Sequence, residues 1–365
     1  MSKAVRIGFI GAGDMAVTHA VEMGGLPGEF EIMAAADVSE ERLSAFRGRF
    51  GSGITPCTDY RKLLERNDLD AVIIASPNHL HLEHACAAFT AGLHVLLQKP
   101  MALNLGDCDT ITAAGKAAGK TLQVGLVYRY SALFRMMAKI IQEGRIGEPA
   151  MAWCHEFRVP FPIGRGREWR YRQAKSGGSL VEKDCHHFDL FNWMLGALPV
   201  RVHAIGGNFA VRENGAIEPG VPGEPYRFPA GEVNDIIDHA WVNIEFEAGR
   251  SANLGLALFS GNRDLPVGVL GTHGWVEANV QQKKLFLHTG HPGHVEVIEP
   301  EKAAHELADK GHSGGARELL EFARCVRTGE APFCDGQVGR DSLLAALMGE
   351  ISIREHRVVE VGELK

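Results

Sequence analysis

The first 125 residues alternate short apolar or β-branched runs with longer amphipathic stretches, the pattern of a parallel sheet wrapped by crossover helices. Strands are expected near residues 4–10, 31–36, 71–75, 93–97 and 121–124, and helices near 14–24, 39–50, 59–66, 79–91 and 104–119. Ser39 stands where the second helix wants an N-cap. This predicts a doubly wound α/β domain over residues 1–125, followed by a second α/β domain over residues 126–365. In the latter, helices are expected near 131–143 and 185–195, with strands from Ala150 to Arg158 and Val200 to Phe209. Strand-like runs at 236–247, 251–260, 267–271, 275–280, 285–289 and 294–298 then predict a large, mostly antiparallel open sheet. Helices near 313–328 and 338–355 close the chain, and residues 214–232, with eight Gly or Pro in nineteen, read as a long surface loop. There is no internal repeat or low-complexity tract.

Composition narrows the class. The 365 residues suffice for two domains, and 45% hydrophobic with 23% charged residues is ordinary for a soluble globule. The net charge of −7, with no basic run across it, argues against a nucleic-acid partner. No apolar stretch reaches about 18 residues, so no membrane partner is expected. The chain also enters Val5-Arg6-Ile7 too early to leave room for a leader, which points to the cytoplasm. Seven scattered cysteines (Cys57, Cys86, Cys108, Cys154, Cys185, Cys325 and Cys334), without a Cys-x-x-Cys pair, suit reduced thiols.

Gly11-Ala12-Gly13-Asp14-Met15-Ala16 follows an expected strand and opens an expected helix, the G-x-G-x-x-G/A arrangement of a Rossmann dinucleotide site. Gly11 permits the tight turn, Gly13 lets a pyrophosphate approach the backbone, and Ala16 allows close helix–strand packing. Asp37 closes the second strand, where a carboxylate accepts hydrogen bonds from a ribose diol; this favours NAD over NADP. Arg42, the obvious compensator for a 2′-phosphate, lies further along the next helix. The other reading of Asp37 is a helix-start acid.

Three further segments carry chemistry-bearing residues: Ser76-Pro77-Asn78-His79-Leu80-His81, Gln98-Lys99-Pro100, and Ser176-Gly177-Gly178 running on to Glu182-Lys183-Asp184-Cys185-His186-His187-Phe188-Asp189. With Trp169-Arg170 ahead of the glycine pair and an acid four residues before His186, the chain resembles the glucose-fructose oxidoreductase, inositol dehydrogenase and rhizopine-catabolism family, Gfo/Idh/MocA, essentially end to end. The resemblance implies an NAD(P)-dependent dehydrogenase or reductase acting on the CH–OH group of a sugar, cyclitol or related polyol. It also implies an N-terminal Rossmann domain and a C-terminal domain whose open sheet supports a homodimer or homotetramer. The family's catalytic lysine maps onto Lys99, and its Asp-x-x-x-His pair onto Glu182 and His186. Two departures stand out: glutamate replaces aspartate at 182, and Gln98 stands where the family most often has glutamate.

The residue types suit this chemistry. Hydride exchange at a carbinol carbon needs a group that takes or returns the hydroxyl proton, and histidine titrates near neutrality. Lys99 then acts as a cation stabilising a developing alkoxide, and Glu182, spaced i, i+4 from His186, orients the imidazole or grips a hydroxyl. The residues leave open which of Lys99 and His186 carries the proton. Ser76, Pro77, Asn78, His81, Gln98 and Lys99 are cofactor-side candidates beside Gly11 to Met15 and Asp37. Arg129, Tyr130, Trp169 and Arg170 are candidate substrate lining, with core packing as the other reading for the aromatic ones. His79 and His81 also read as a helix-start cluster, and Asp189 as a packing residue. Asp184, Cys185 and His187 are adjacent on one element and do not converge as metal ligands do, so no metal is expected. Two other functions compete: a redox-assisted glycosidase or lyase that recycles bound NAD, and a non-catalytic cofactor-sensing protein.

Overall fold

The computed structural model describes residues 3–161, 166–210, 234–260, 265–290, 294–300 and 314–364; the loop expected over 214–232 lies outside them. The elements run β1 (Val5–Ile10), α1 (Asp14–Gly24), β2 (Phe30–Ala36), α2 (Glu40–Phe50), β3 (Thr55–Cys57), α3 (Tyr60–Leu64), β4 (Ala71–Ile74), α4 (His81–Thr90), β5 (His94–Gln98), α5 (Leu105–Ala118) and β6 (Leu122–Gly125). They continue with α6 (Ala132–Gln142), β7 (Pro149–Phe157), α7 (Gln173–Ser176), α8 (Cys185–Leu195), β8 (Pro199–Gly207), β9 (His239–Phe246), β10 (Ser251–Ala257), β11 (Pro266–Gly271), β12 (Gly274–Asn279), β13 (Lys284–Thr289) and β14 (Val295–Ile298). Last come α9 (Gly315–Thr328), α10 (Gly336–Asp341), α11 (Leu344–Glu355) and β15 (Val359–Glu360). The chain forms two compact units, Met1–Ser131 with Lys302–Arg340, and Ala132–Glu301 with Asp341–Lys365.

The first unit is built on a parallel sheet of order β3-β2-β1-β4-β5-β6. Strand β4 is buried along its whole length, because a parallel strand covered on both faces is a continuous apolar run. The sixth strand, β3, was not expected: it is three residues long, contains Pro56, and sits at the sheet edge where proline is tolerated. Helix α9 returns from far down the chain, and its Leu319, Phe322 and Ala323 join Ile7, Phe9 and Ala16 in one apolar cluster. The sequence boundary at 125 had assigned this helix to the following segment. An apolar stripe at helical spacing specifies burial without naming what buries it.

The second unit holds a nine-stranded sheet of order β14-β13-β12-β11-β7-β10-β9-β8-β15, whose one parallel pair among the described residues is β7 with β10. Strand β9 shows the pattern that makes its face: Ala240, Val242, Ile244 and Phe246 are buried, while the residues between them point outward. Helices α6, α8 and α11 pack against this sheet. The helix expected over 338–355 is two helices, α10 and α11. All seven cysteines are free. Among the described residues, no helix is long and apolar enough to cross a membrane.

Candidate functional site

The glycine loop, Asp37, the Ser76–Asn78 segment and Lys99 follow β1, β2, β4 and β5, so all stand at the carboxyl edge of one parallel sheet, where its strand order reverses. Gly11 has φ of 97°, and a Cβ there would lie 2.6 Å from the Ala75 carbonyl oxygen, so glycine is required. Gly13 forms the N-cap of α1 without a capping side chain, and open space stands where its Cβ would be. That opening, with the first N–H groups of an eleven-residue helix behind it, is the concavity a pyrophosphate fits. Ala16 is fully buried, as its packing role requires.

Asp37 is tied to both turns beside it. Its Oδ2 accepts from the Ala12 N–H at 2.9 Å and its Oδ1 from the Ser39 N–H at 2.9 Å. Arg42 is closer than its sequence position suggests: its Nη1 lies 3.6 Å from Asp37 Oδ2, because α2 turns the side chain back over the strand end. Sequence reasoning also missed Val38, which is 91% exposed between Asp37 and the helix cap. An exposed apolar residue directly after a strand-end acid was its one available signal. These groups fit the adenosine half of a dinucleotide: a carboxylate for a ribose diol, an apolar surface for a base, and a glycine cradle for the phosphates.

Lys99 is half-buried, follows β5 and precedes Pro100 through a cis peptide. Its two neighbours in sequence are each held by a buried histidine. The Gln98 side chain donates through Nε2 to His19 Nε2 at 2.7 Å, leaving His19 Nδ1 facing Glu22 Oε2 at 3.7 Å. On the other side, His81 places Nδ1 2.8 Å from the Pro100 carbonyl oxygen and Nε2 3.0 Å from that of Ser76. Burial pulls both imidazoles down to about 4, which keeps them neutral, and pushes the Glu22 carboxyl up to about 7. Gln98 through Nε2 and His81 through both ring nitrogens, two of the cofactor-side candidates, thus contact protein atoms. Ser76 Oγ likewise bonds His84 Nδ1 at 2.9 Å, and Asn78 is buried. Tyr130, expected to line a substrate pocket, is buried in the first unit with its hydroxyl donating to Glu321, while Arg129 stacks over Phe333 at 5.2 Å.

In the second unit, Gly177 and Gly178 take φ of 89° and 97°, and a π turn over Leu180–Asp184 leads directly into α8. Glu350 of α11 closes on this turn: its Oε1 accepts from the Leu180 N–H at 2.9 Å and occupies the space a Cβ on Gly178 would need. Burial pushes its carboxyl up to about 7. Glu182 and His186 are both buried, and Arg170 brings Nε to 3.3 Å from Glu182 Oε1 while stacking on Trp169 at 5.4 Å. Arg170 thus links Trp169 and Glu182, three of the candidate substrate residues, in the second unit. His187 turns away, with Nδ1 2.9 Å from Asp184 Oδ1, and Asp189 is buried.

Comparison with known proteins accords with this geometry. Residues 5–126 match the model of an oxidoreductase family with an NAD-binding Rossmann fold, GFO_IDH_MocA, and residues 134–277 match the C-terminal domain model of the same family. The chain is 25% identical over 366 residues to myo-inositol 2-dehydrogenase of Thermotoga maritima, covering 99% of each. It is 31% identical over 198 residues to 2,7-anhydro-N-acetylneuraminate hydratase of Mediterraneibacter gnavus, covering 54% of this chain and 48% of that one. In fold it matches a levoglucosan dehydrogenase solved with NADH and levoglucosan, at a TM-score of 0.84 and 20% identity over 99% of this chain and 100% of that one. With both domains matched in order, the chain belongs to the Gfo/Idh/MocA oxidoreductase family and carries its NAD-binding Rossmann fold.

Proposed function

We propose that the protein is an NAD-dependent dehydrogenase or reductase that moves hydride between the nicotinamide and a hydroxyl or keto carbon of a sugar, cyclitol or related polyol. The observation that carries this reading is the shared carboxyl edge of the first sheet, which gathers the glycine cradle, Asp37 and Lys99. The nicotinamide, when bound, supplies the hydride acceptor or donor. Lys99 holds the cation that stabilises a developing alkoxide, His186 takes or returns the hydroxyl proton, and Glu182 with Arg170 grips substrate hydroxyls. NAD is the preferred form because the Asp37 carboxylate repels a 2′-phosphate; Arg42 at 3.6 Å softens that repulsion, so NADP is the weaker cofactor. The inositol and levoglucosan dehydrogenases among its relatives support the substrate class. The test is absorbance of reduced nicotinamide on incubation with NAD or NADP and a panel of sugars, cyclitols and glycosides. Signal with NAD that Lys99→Ala abolishes supports the reading; silence across the panel despite measurable NAD binding overturns it.

A second reading is a lyase, hydratase or glycosidase that oxidises a sugar hydroxyl transiently and recycles its NAD. The hydratase relative and the Glu182-Lys183 pair at the acid position favour it. Product formation with no net NADH would select it over the first.

A further inference from the structure

Beside the Glu182–His186 pair lies a group of ionisable side chains, most of them buried, that the proposed chemistry does not use. Glu156 of β7 is fully buried, facing the same side of the sheet as Ala152 and Cys154, the side on which α8 packs. Its Oε1 lies 3.2 Å from Lys183 Nζ and 3.7 Å from Arg158 Nη1, and its Oε2 lies 3.7 Å from His187 Nε2. The other ring nitrogen of His187 is held by Asp184 at 2.9 Å. Two carboxyl groups, those of Glu156 and Asp184, thus share the imidazole of His187, with Lys183 and Arg158 on the Glu156 side. Removing one partner strands the other as an uncompensated buried charge, so these contacts are geometric constraints on whatever carries them.

What they carry is the candidate site. Lys183 and His187 are the residues that follow Glu182 and His186, with the same i, i+4 spacing. On a helix the two rows are rotated by about 100° from each other, so pinning one row sets the direction of the other. We propose that Glu156 is a positioning residue: by holding Lys183 and His187 it fixes the rotation of the segment that presents Glu182 and His186. The π turn over Leu180–Asp184 makes such an anchor useful, since the wider turn interrupts the regular ladder just before α8, and Glu350 secures its other end. This inference rests on the reading of Glu182 and His186 as the substrate-contacting pair.

The test compares Lys183→Arg, which keeps the ion pair, with the double variant Glu156→Gln, Lys183→Met, which removes it without stranding either partner's charge. In the full chain, on whichever panel substrate gives turnover, the double variant is expected to lower kcat about 10- to 100-fold, the scale of an ångström-level misplacement. Its KM for nicotinamide should stay unchanged, and Lys183→Arg should keep most of the activity. The second readout needs no activity: the His186 imidazole NMR resonances should move in the double variant and stay in place in Lys183→Arg. A folded double variant with wild-type kcat and unmoved His186 resonances overturns the proposal. If the wild-type chain turns over nothing on the panel, the functional reading fails separately, and unmoved resonances alone overturn the positioning role.

Discussion

His81 Nδ1 lies 2.8 Å from the carbonyl oxygen of Pro100, and the same ring reaches the Ser76 carbonyl through Nε2 at 3.0 Å. One buried side chain therefore braces the loop after β4 against the loop after β5, the one that carries Lys99. A neutral imidazole donates only once, and burial keeps this ring neutral with a pKa of about 4, so one contact is a hydrogen bond and the other a close approach to a lone pair. His81→Leu keeps the bulk and removes the donor. It is expected to destabilise the fold by about 1–3 kcal/mol, the cost of a stranded buried carbonyl, and to lower kcat because Lys99 loses its brace. His81→Gln, which restores a donor, should recover part of both in thermal unfolding and steady-state assays.

Asp37 and Arg42 set a test of cofactor choice. With the carboxylate accepting from Ala12 and Ser39 and facing Arg42, a nucleotide 2′-phosphate meets a negative group that one arginine only partly offsets. Asp37→Ser removes the charge, keeps a short acceptor and leaves Arg42 available. The ratio of kcat/KM for NAD to that for NADP is expected to fall by about 10- to 100-fold, corresponding to one or two lost charge-assisted hydrogen bonds. An unchanged ratio would mean that Asp37 serves only the two turns it ties together.

Glu350 gives the second unit a pH dependence of definite sign. Its carboxyl is raised from 4.5 to about 7 in the folded chain by burial, so between those values the native state holds a proton that the unfolded chain has released. Its contribution to stability is accordingly undiminished below pH 4.5 and declines as pH rises towards 7, by up to about 3 kcal/mol. Glu350→Gln keeps an acceptor for the Leu180 N–H and removes the titration. Melting temperatures measured from pH 4.5 to 8 should fall less steeply with pH in this variant, which should be the more stable form at pH 8. His19 and His81, lowered from 6.5 to about 4, act oppositely: their contribution is complete above pH 6.5 and is lost as pH falls towards 4, and both proteins should share that acid limb.

The sequence made the first sheet legible because its strands are buried on both faces and read as unbroken apolar runs, as Ala71–Ile74 does. Edge strand β3 was invisible for the opposite reason: Thr55-Pro56-Cys57 has no pattern for periodicity to detect. The glycine loop was legible since its chemistry is local, each glycine answering to a turn or a phosphate within a few residues. Contacts spanning long separations were not, and several candidate site residues make them. Gln98 to His19 crosses 79 positions, and Tyr130 to Glu321 crosses 191. The Glu156–Lys183 pair was hidden in the same way, because a lysine beside a motif acid reads as surface until a strand places a carboxylate beneath it.

The outward face of the nine-stranded sheet supplies the last prediction. Ile205 is 59% exposed, Met151 50% and Trp241 44%, on strands β8, β7 and β9 of that sheet. Trp241 also packs edge-on against both His155 and Phe157 and covers Gly255, so the aromatic surface is ordered rather than loose. Apolar side chains standing out of the middle of a sheet lose favourable burial of about 25 cal/mol per Å² for as long as they face water. A second copy of the chain offers the same surface in return, the self-complementary arrangement of a two-fold dimer. Light scattering is expected to give a dimer or tetramer for the wild-type chain, and Ile205→Lys with Trp241→Lys should shift it towards the monomer without altering nicotinamide affinity, since the Rossmann unit is untouched. A wild-type monomer at working concentration would rule this assembly out.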